Sequence, residues 1–225
     1  MSNVSIISKT HFDSLGNLFF DVSVRDGDTV TEKRLSAEEY LALFKNSLRD
    51  KETFTKIPRL PESVLAAYVS GRNEETFQAV VLFKAQKRPF LFVGQHYLLP
   101  FPALIARIVV KDGVRREMQL YALATDEPTE DTPLMNYPFG NVNSTGGCCF
   151  GNIVVKDLKD ATMAPKVLET FLCGETNNDY WDCWKAKGMK YQGDLVEFLS
   201  REETFPANLL VSAGRLTVGD LCKSV

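Results

Sequence analysis

The chain has 225 residues, a formal net charge of −3 and an isoelectric point near 5.5. This mild acidity argues against general binding to nucleic acid or to anionic membranes, because both depend on concentrated positive charge. Hydrophobic residues make up 44% of the sequence and charged residues 24%, which is ordinary for a globular protein that buries a sizeable core. We therefore expect a single domain over residues 1–225 whose partner is another protein.

The N-terminus lacks a basic region followed by a long apolar core, and no later run approaches membrane-spanning length. These features predict a cytoplasmic protein. The odd number of cysteines predicts free thiols rather than the disulfide framework of a secreted protein. Their spacing, with only two histidines far upstream, does not match a zinc site, and we expect neither a metal nor another cofactor. The five cysteines are Cys148, Cys149, Cys173, Cys183 and Cys222.

The first sixty residues predict a β-hairpin followed by a helix. Residues 18–25 and 30–35 are strand-like runs on either side of an Asp-Gly-Asp turn. The capping box Ser36-x-x-Glu39 comes next, and apolar residues at helical spacing over 37–49 should pack on the sheet.

The middle of the chain is rich in β-forming residues. Runs at 77–83, 89–93, 103–110 and 118–124 are joined by short turns and predict an antiparallel meander. After the paired cysteines, an amphipathic helix is expected to cover this meander, with Thr162 as its N-cap. Its apolar face consists of Ala164, Val167, Leu168, Phe171 and Leu172. The sequence thus predicts the α+β class, with an antiparallel sheet and flanking helices.

The turn-rich stretch 137–152 holds the candidate chemistry. Glycines and Asn/Ser residues favour tight turns, so the chain can double back and bring the carboxamide of Asn141 near the thiol of Cys149. A thiolate beside a hydrogen-bond donor suits acyl transfer through a thioester. The alternative is structural, because most cysteines in soluble proteins pack as small hydrophobic residues.

Residues 141–150 resemble the active-site segment of ubiquitin-conjugating enzymes. In that register Cys149 corresponds to the catalytic cysteine, Cys148 to its aliphatic neighbour and Asn141 to the asparagine that stabilises the oxyanion. The His-Pro that precedes this asparagine in eukaryotic members is absent, and Phe139-Gly140 stand there instead.

A closer resemblance is to the prokaryotic ubiquitin-conjugating-enzyme-like family that includes PRTRC system protein B. The similar pieces run in the same order along most of the chain. They are Leu60–Leu65, Leu99–Leu104, Leu120–Leu123, Thr132–Leu134, Pro138–Val142, Cys149–Gly151 and Phe205–Leu209. This resemblance implies a ubiquitin-conjugating-enzyme-like (UBC) fold, here extended by the hairpin and helix of residues 1–60.

The resemblance also implies function and partners. Family members are proposed to accept a ubiquitin-like protein from a ThiF-like activating enzyme. This enzyme is encoded nearby, as is a JAB-type protease. One hypothesis is therefore an enzyme that carries the ubiquitin-like protein as a thioester on Cys149. The other is a binding module that holds the ubiquitin-like protein or the activating enzyme without turnover. The binding module is favoured by the lost His-Pro and by residues 173–178, which lack the histidine of the family's Ser-x-Phe-Thr-His segment.

Overall fold

The computed structural model of the chain describes residues 4–12, 17–26, 29–41, 54–56, 60–71, 73–182 and 185–223. Contacts within the chain group into two units, residues 1–52 and residues 53–225, and each is described by itself. The single domain expected from the sequence stays a prediction.

Most of the described residues of the first unit form a three-stranded antiparallel sheet. Its strands, in the order β1-β2-β3, are β1 (Val4–Phe12), β2 (Leu18–Asp26) and β3 (Thr29–Ser36). The β2–β3 pair confirms the predicted hairpin. Strand β1 was not expected from the sequence.

A helical turn over residues 37–41 follows β3. The predicted capping box is present, because Ser36 N donates to Glu39 Oε2 at 2.9 Å and Glu39 N donates to Ser36 Oγ at 3.2 Å. The ring of Tyr40 stacks on Phe20 with centroids 3.9 Å apart, so this turn packs on the sheet as expected. The rest of the predicted helix, residues 42–49, lies outside the described residues.

The second unit is built on a seven-stranded antiparallel sheet in the order β13-β11-β10-β9-β6-β5-β4. A smaller sheet has the order β12-β7-β8, in which β12 pairs with β7 in parallel. The strands are β4 (Phe54–Lys56), β5 (Val64–Ser70), β6 (Asn73–Phe83), β7 (Gln86–Phe92), β8 (Gln95–Phe101), β9 (Ala103–Lys111), β10 (Val114–Leu123), β11 (Pro133–Asn136), β12 (Glu175–Thr176) and β13 (Ser212–Thr217).

The four β-rich runs are strands as predicted, but they do not form one meander. Strand β6 pairs with β9, whereas β7 forms a hairpin with β8 in the smaller sheet. Pro89 in β7 cannot donate to a sheet ladder, which disfavours a place inside the large sheet. The tip of this hairpin is Val93-Gly94, and both residues have positive φ.

The described residues of this unit include three helices: α1 (Ala164–Leu172), α2 (Gln192–Leu199) and α3 (Val218–Cys222). A 3₁₀ turn, Ala161–Met163, precedes α1. The prediction that Thr162 is the N-cap is wrong. Asp160 Oδ1 accepts from Thr162 N at 2.8 Å, so Asp160 caps this turn. Among the described residues, no helix combines the length and the apolar character that crossing a membrane requires.

The large sheet separates two hydrophobic clusters. One face of the sheet is covered by the buried side of α1, which confirms the predicted apolar face of this helix. The hydrophobic cluster on this face continues into a group of aromatic side chains next to the 137–152 loop. The opposite face packs against α3 through Val218 and Leu221. The aromatic cluster comprises Phe90, Phe101, Tyr137, Phe139, Phe150 and Phe171. It fixes the position of the candidate site.

Candidate active site

The turn-rich loop doubles back, as the sequence predicts, and returns beside β10. Leu120 N donates to Gly146 O at 2.8 Å, and Cys148 N donates to Met118 O at 3.0 Å. Val142 and Cys148 form an antiparallel bridge across the loop. The loop is therefore tied to the large sheet by backbone hydrogen bonds.

Asn143 closes the tip of this loop. Its Oδ1 accepts from the backbone N–H of Thr145 at 2.9 Å and from that of Gly147 at 2.8 Å, the bonding typical of an Asx turn. Gly146 has φ of +80°, and a Cβ there would lie 2.5 Å from the ring of Tyr121. A glycine is required at this position both by conformation and by space.

The two adjacent cysteines have opposite environments. Cys149 is exposed, whereas Cys148 packs against the core. Burial raises the pKa of the Cys148 thiol well above its usual range, and the nearby cations of Arg115 and Lys185 only partly oppose this effect. Cys148 is therefore a neutral packing residue, and Cys149 presents the accessible sulfur of the pair.

Asn141 is held by three hydrogen bonds. Its N–H donates to Asp179 O at 2.8 Å, its carbonyl accepts from Cys149 N at 2.8 Å, and its Nδ2 donates to Glu175 O at 2.9 Å. Its φ of +61° lies in the left-handed region, which asparagine tolerates better than most residues. The structure thus brings Asn141 next to Cys149, with one carboxamide proton already engaged.

Asn141 and Cys149 line the same cleft, which has a volume of about 140 Å³. Its apolar wall includes Phe171, and two acidic residues, Glu175 and Asp179, also line it. Sequence reasoning missed both carboxylates.

The structure explains why Phe139-Gly140 stand before the asparagine. Phe139 is fully buried, and its ring lies 4.8 Å from the rings of Phe90 and Phe101. A Cβ on Gly140 would overlap the carbonyl oxygen of Asn177 and would lie 2.7 Å from Gln192 Oε1. Phe139 therefore fills a place in the aromatic cluster, and the space at position 140 admits only glycine.

Lys185 lies beneath the loop and was not identified from the sequence. It is 1% exposed, and its Nζ donates to the backbone carbonyls of Phe139, at 3.0 Å, and Val142. Burial lowers the pKa of Lys185 to about 8. No local pattern marks this residue, because the two carbonyls that accept from its ammonium lie more than forty positions earlier in the chain.

Within the described part of the chain, His, Cys, Asp and Glu residues do not assemble into a group of three or more that could hold a metal ion. The four cysteines described there are free.

Comparison with known families finds that the model of prokaryotic E2 family D matches residues 39–212. E2 is the general term for ubiquitin-conjugating enzymes. Comparisons with curated proteins and with solved structures found no match. The matched region covers well over half of the 225 residues and includes every strand of the large sheet except most of β13, together with the Cys149 loop and α1. The chain is therefore a conjugating-enzyme-like module and belongs to prokaryotic E2 family D.

Proposed function

We propose that this protein accepts a ubiquitin-like protein from a ThiF-like activating enzyme as a thioester on Cys149 and passes it to an acceptor. The observation that carries the proposal is the exposed Cys149 thiol in a cleft shared with Asn141. In this reading the chain has a UBC fold in which residues 1–60 are an extension, and it works in the cytoplasm without a cofactor.

The transfer reaction exchanges one thioester for another. The Cys149 thiol loses its proton, and its sulfur attacks the carbonyl carbon of the glycyl thioester on the activating enzyme. A new C–S bond forms to Cys149, and the thiolate of the activating enzyme leaves and takes up a proton. The accessible position of Cys149 suits such an encounter between two proteins.

Asn141 supplies the donor for the oxyanion of the tetrahedral intermediate. One N–H of its Nδ2 donates to Glu175 O at 2.9 Å, which fixes the orientation of the carboxamide. The second N–H is directed by the same planar group and serves the oxyanion when the thioester carbonyl enters the cleft. A donor that is oriented in advance needs no rearrangement during the reaction.

The acidic lining of the cleft favours a cationic acceptor. Glu175 and Asp179 lie on the cleft beside Cys149, and neither forms an ion pair among the described residues. Their charge attracts an ammonium group such as that of a lysine side chain. We therefore propose lysine as the acceptor.

A second candidate function is a binding module that does not turn over. It is favoured by Phe139-Gly140 in place of His-Pro and by the hydrogen bond that already engages Asn141 with Glu175 O. Such a module needs the surface around the cleft but not the sulfur of Cys149.

One experiment separates the two functions. The protein is mixed with its activating enzyme, the ubiquitin-like protein and ATP, and the products are run on a non-reducing gel. A thioester carrier gives an adduct that disappears with reductant and with Cys149→Ala. Failure of the wild type to form this adduct, with an activating enzyme shown to be charged, would leave the binding module.

A further inference from the structure

The ammonium of Lys185 bonds to both ends of the short segment that holds Asn141. It donates to the carbonyls of Phe139 and Val142, which come before and after Gly140 and Asn141 in the chain. A lysine ammonium that is buried and donates to two carbonyls of one four-residue segment is an unusual arrangement, because lysine is rarely fully buried.

We propose that Lys185 is a positioning residue for the reactive loop: it fixes the Phe139–Val142 segment and thereby sets the place of Asn141 and Cys149. This role deepens the proposed function, and for its effect on transfer it rests on that function. Lys185 is not among the residues that line the Cys149 cleft, and its ammonium donates to backbone carbonyls of the loop, so the role we assign to it acts through the main chain.

A series of hydrogen bonds connects the ammonium of Lys185, through the backbone of the loop, to Cys149. Val142 O accepts from Lys185 Nζ, and Val142 bridges to Cys148 across the loop. Asn141 O accepts from Cys149 N at 2.8 Å. Any shift of the segment therefore moves the main chain at Cys149.

The conformation of the segment explains why it requires support. Asn141 has φ of +61°, a conformation that asparagine adopts more readily than most residues but that still costs more than it does for glycine, so contacts that hold it are favourable. Asp179 O and Glu175 O hold Asn141 from one side. Lys185 holds the residues on either side of it.

A simple packing role does not account for a lysine at this place. Burial lowers the pKa of Lys185 to about 8, so the charged form is disfavoured in the folded protein. A methionine of similar length would avoid that cost, since buried ions are often replaced by apolar groups without loss of stability. The titratable groups that face Lys185 are Cys148 from the loop and Asp182 from its own segment. The advantage of lysine is the pair of hydrogen bonds to the loop.

The test compares Lys185→Met with Lys187→Met, an exposed lysine two residues along the chain. Amide hydrogen exchange is measured across the chain. Lys185→Met should speed exchange at Asn141 and Cys149 by roughly tenfold or more, the expected result of losing a hydrogen bond from a charged donor. Amides in β9 and β10 should keep their wild-type protection, and Lys187→Met should change neither group. Should Lys185→Met fail to fold, Lys185→Gln, a shorter neutral donor, replaces it with the same expectation.

A rescue variant and a transfer assay complete the test. Lys185→Arg keeps a cationic donor and should restore protection at Asn141 and Cys149. Thioester formation by Lys185→Met should fall by roughly tenfold or more. Unchanged exchange at Asn141 and Cys149, or equal acceleration across the whole sheet, would overturn the positioning role.

Failure of the two proposals is distinguishable because amide exchange requires no partner protein. If the wild type forms no thioester but Lys185→Met loosens Asn141 and Cys149, the proposed function fails and the positioning role stands. If the wild type forms the thioester and Lys185→Met forms it at the same rate with unchanged exchange, the positioning role fails alone.

Discussion

The backbone N–H of Cys149 donates to the carbonyl of Asn141 at 2.8 Å. These two residues are therefore joined through the main chain before any substrate arrives. The place of the thiol depends on the backbone of Asn141, whereas the proposed oxyanion donor is its side chain. Substitutions can test these two contributions separately.

The first prediction concerns which cysteine reacts. Cys149→Ala should abolish the reducible adduct, because this residue carries the exposed thiol. Cys148→Val should keep the adduct, since Cys148 packs against the core and valine fills a similar apolar space. Non-reducing gels of both variants provide the measurement. An adduct that survives Cys149→Ala and is lost in Cys148→Val would reverse the assignment.

The second prediction concerns the carboxamide of Asn141. Asn141→Gly removes the side chain and accepts the φ of +61° without strain. Transfer should slow by about a hundredfold or more, the usual effect of losing one oxyanion donor. Single-turnover discharge of the charged protein measures this rate.

Asn136→Ala is the matched control for that variant. Asn136 also donates its Nδ2 to a backbone carbonyl, that of Ser212 at 3.2 Å, but it lies outside the Cys149 cleft. The Asn136→Ala variant should lower the free energy of unfolding by about 1 kcal/mol and leave the rate of discharge unchanged. Normal discharge by Asn141→Gly, together with a loss of stability, would make Asn141 a brace of the loop and not a donor.

Local patterns predicted much of the fold, but long-range pairing was not accessible from them. The apolar runs of β6, β9 and β10 and the apolar face of α1 are periodic within their own segments, and the structure confirms them. The departure of β7 into a second sheet depends on competition between distant strands, and no window of sequence contains that information.

The same distinction applies to the candidate site. Asn141 and Cys149 lie eight residues apart in one turn-rich stretch, so their proximity was predictable from turn chemistry. Lys185 lies 43 residues after Val142 and reaches it only through the tertiary fold. Glu175 and Asp179 enter the cleft in the same way, from the segment after α1.

The third prediction tests the close approach at Gly140. Gly140→Ala should destabilise the protein by about 2 kcal/mol or more, because the methyl group would overlap Asn177 O and crowd Gln192 Oε1. Gly193→Ala is the control, since a Cβ there meets nothing within 4 Å and the residue lies in α2. This control should be neutral or up to about 1 kcal/mol more stable. Equal denaturation midpoints for the two variants would contradict the close approach.

The fourth prediction is a pH dependence that arises from Lys185. Its pKa is about 8 in the folded protein against the ordinary value of 10.5, so between these values the unfolded chain binds more protons than the folded protein. Stability contributed by this group therefore rises as pH increases through that window. The free-energy penalty for burying the charged ammonium is present in full below pH 8 and falls progressively between pH 8 and pH 10.5.

Lys185→Met lacks this titration and supplies the comparison. The free energy of unfolding of the wild type, relative to Lys185→Met, should rise by about 3 kcal/mol between pH 7 and pH 10.5. Urea denaturation at several pH values measures the difference. A constant or falling difference would mean that Lys185 is not buried as a cation.

The fifth prediction is a stable adduct on a serine variant. A thioester discharges readily because a thiolate is a good leaving group, whereas an alkoxide, from a hydroxyl far less acidic than a thiol of pKa about 8.5, leaves poorly. Cys149→Ser should therefore accept the ubiquitin-like protein slowly and then hold it as an oxyester. This adduct should survive thiol reductant and be cleaved by mild base.

The position of residue 149 makes this outcome specific to a carrier. Its side chain is exposed in the cleft beside Asn141, so a hydroxyl there meets the same incoming carbonyl as the thiol does. Mass spectrometry of the isolated adduct should place the linkage on residue 149, and Cys173→Ser, which alters another exposed cysteine, should behave like the wild type. A linkage on residue 149 would support a carrier, because a binding module that does not react gives no reason for this one side chain to be acylated. A linkage on any other residue would show that the loop does not position the nucleophile.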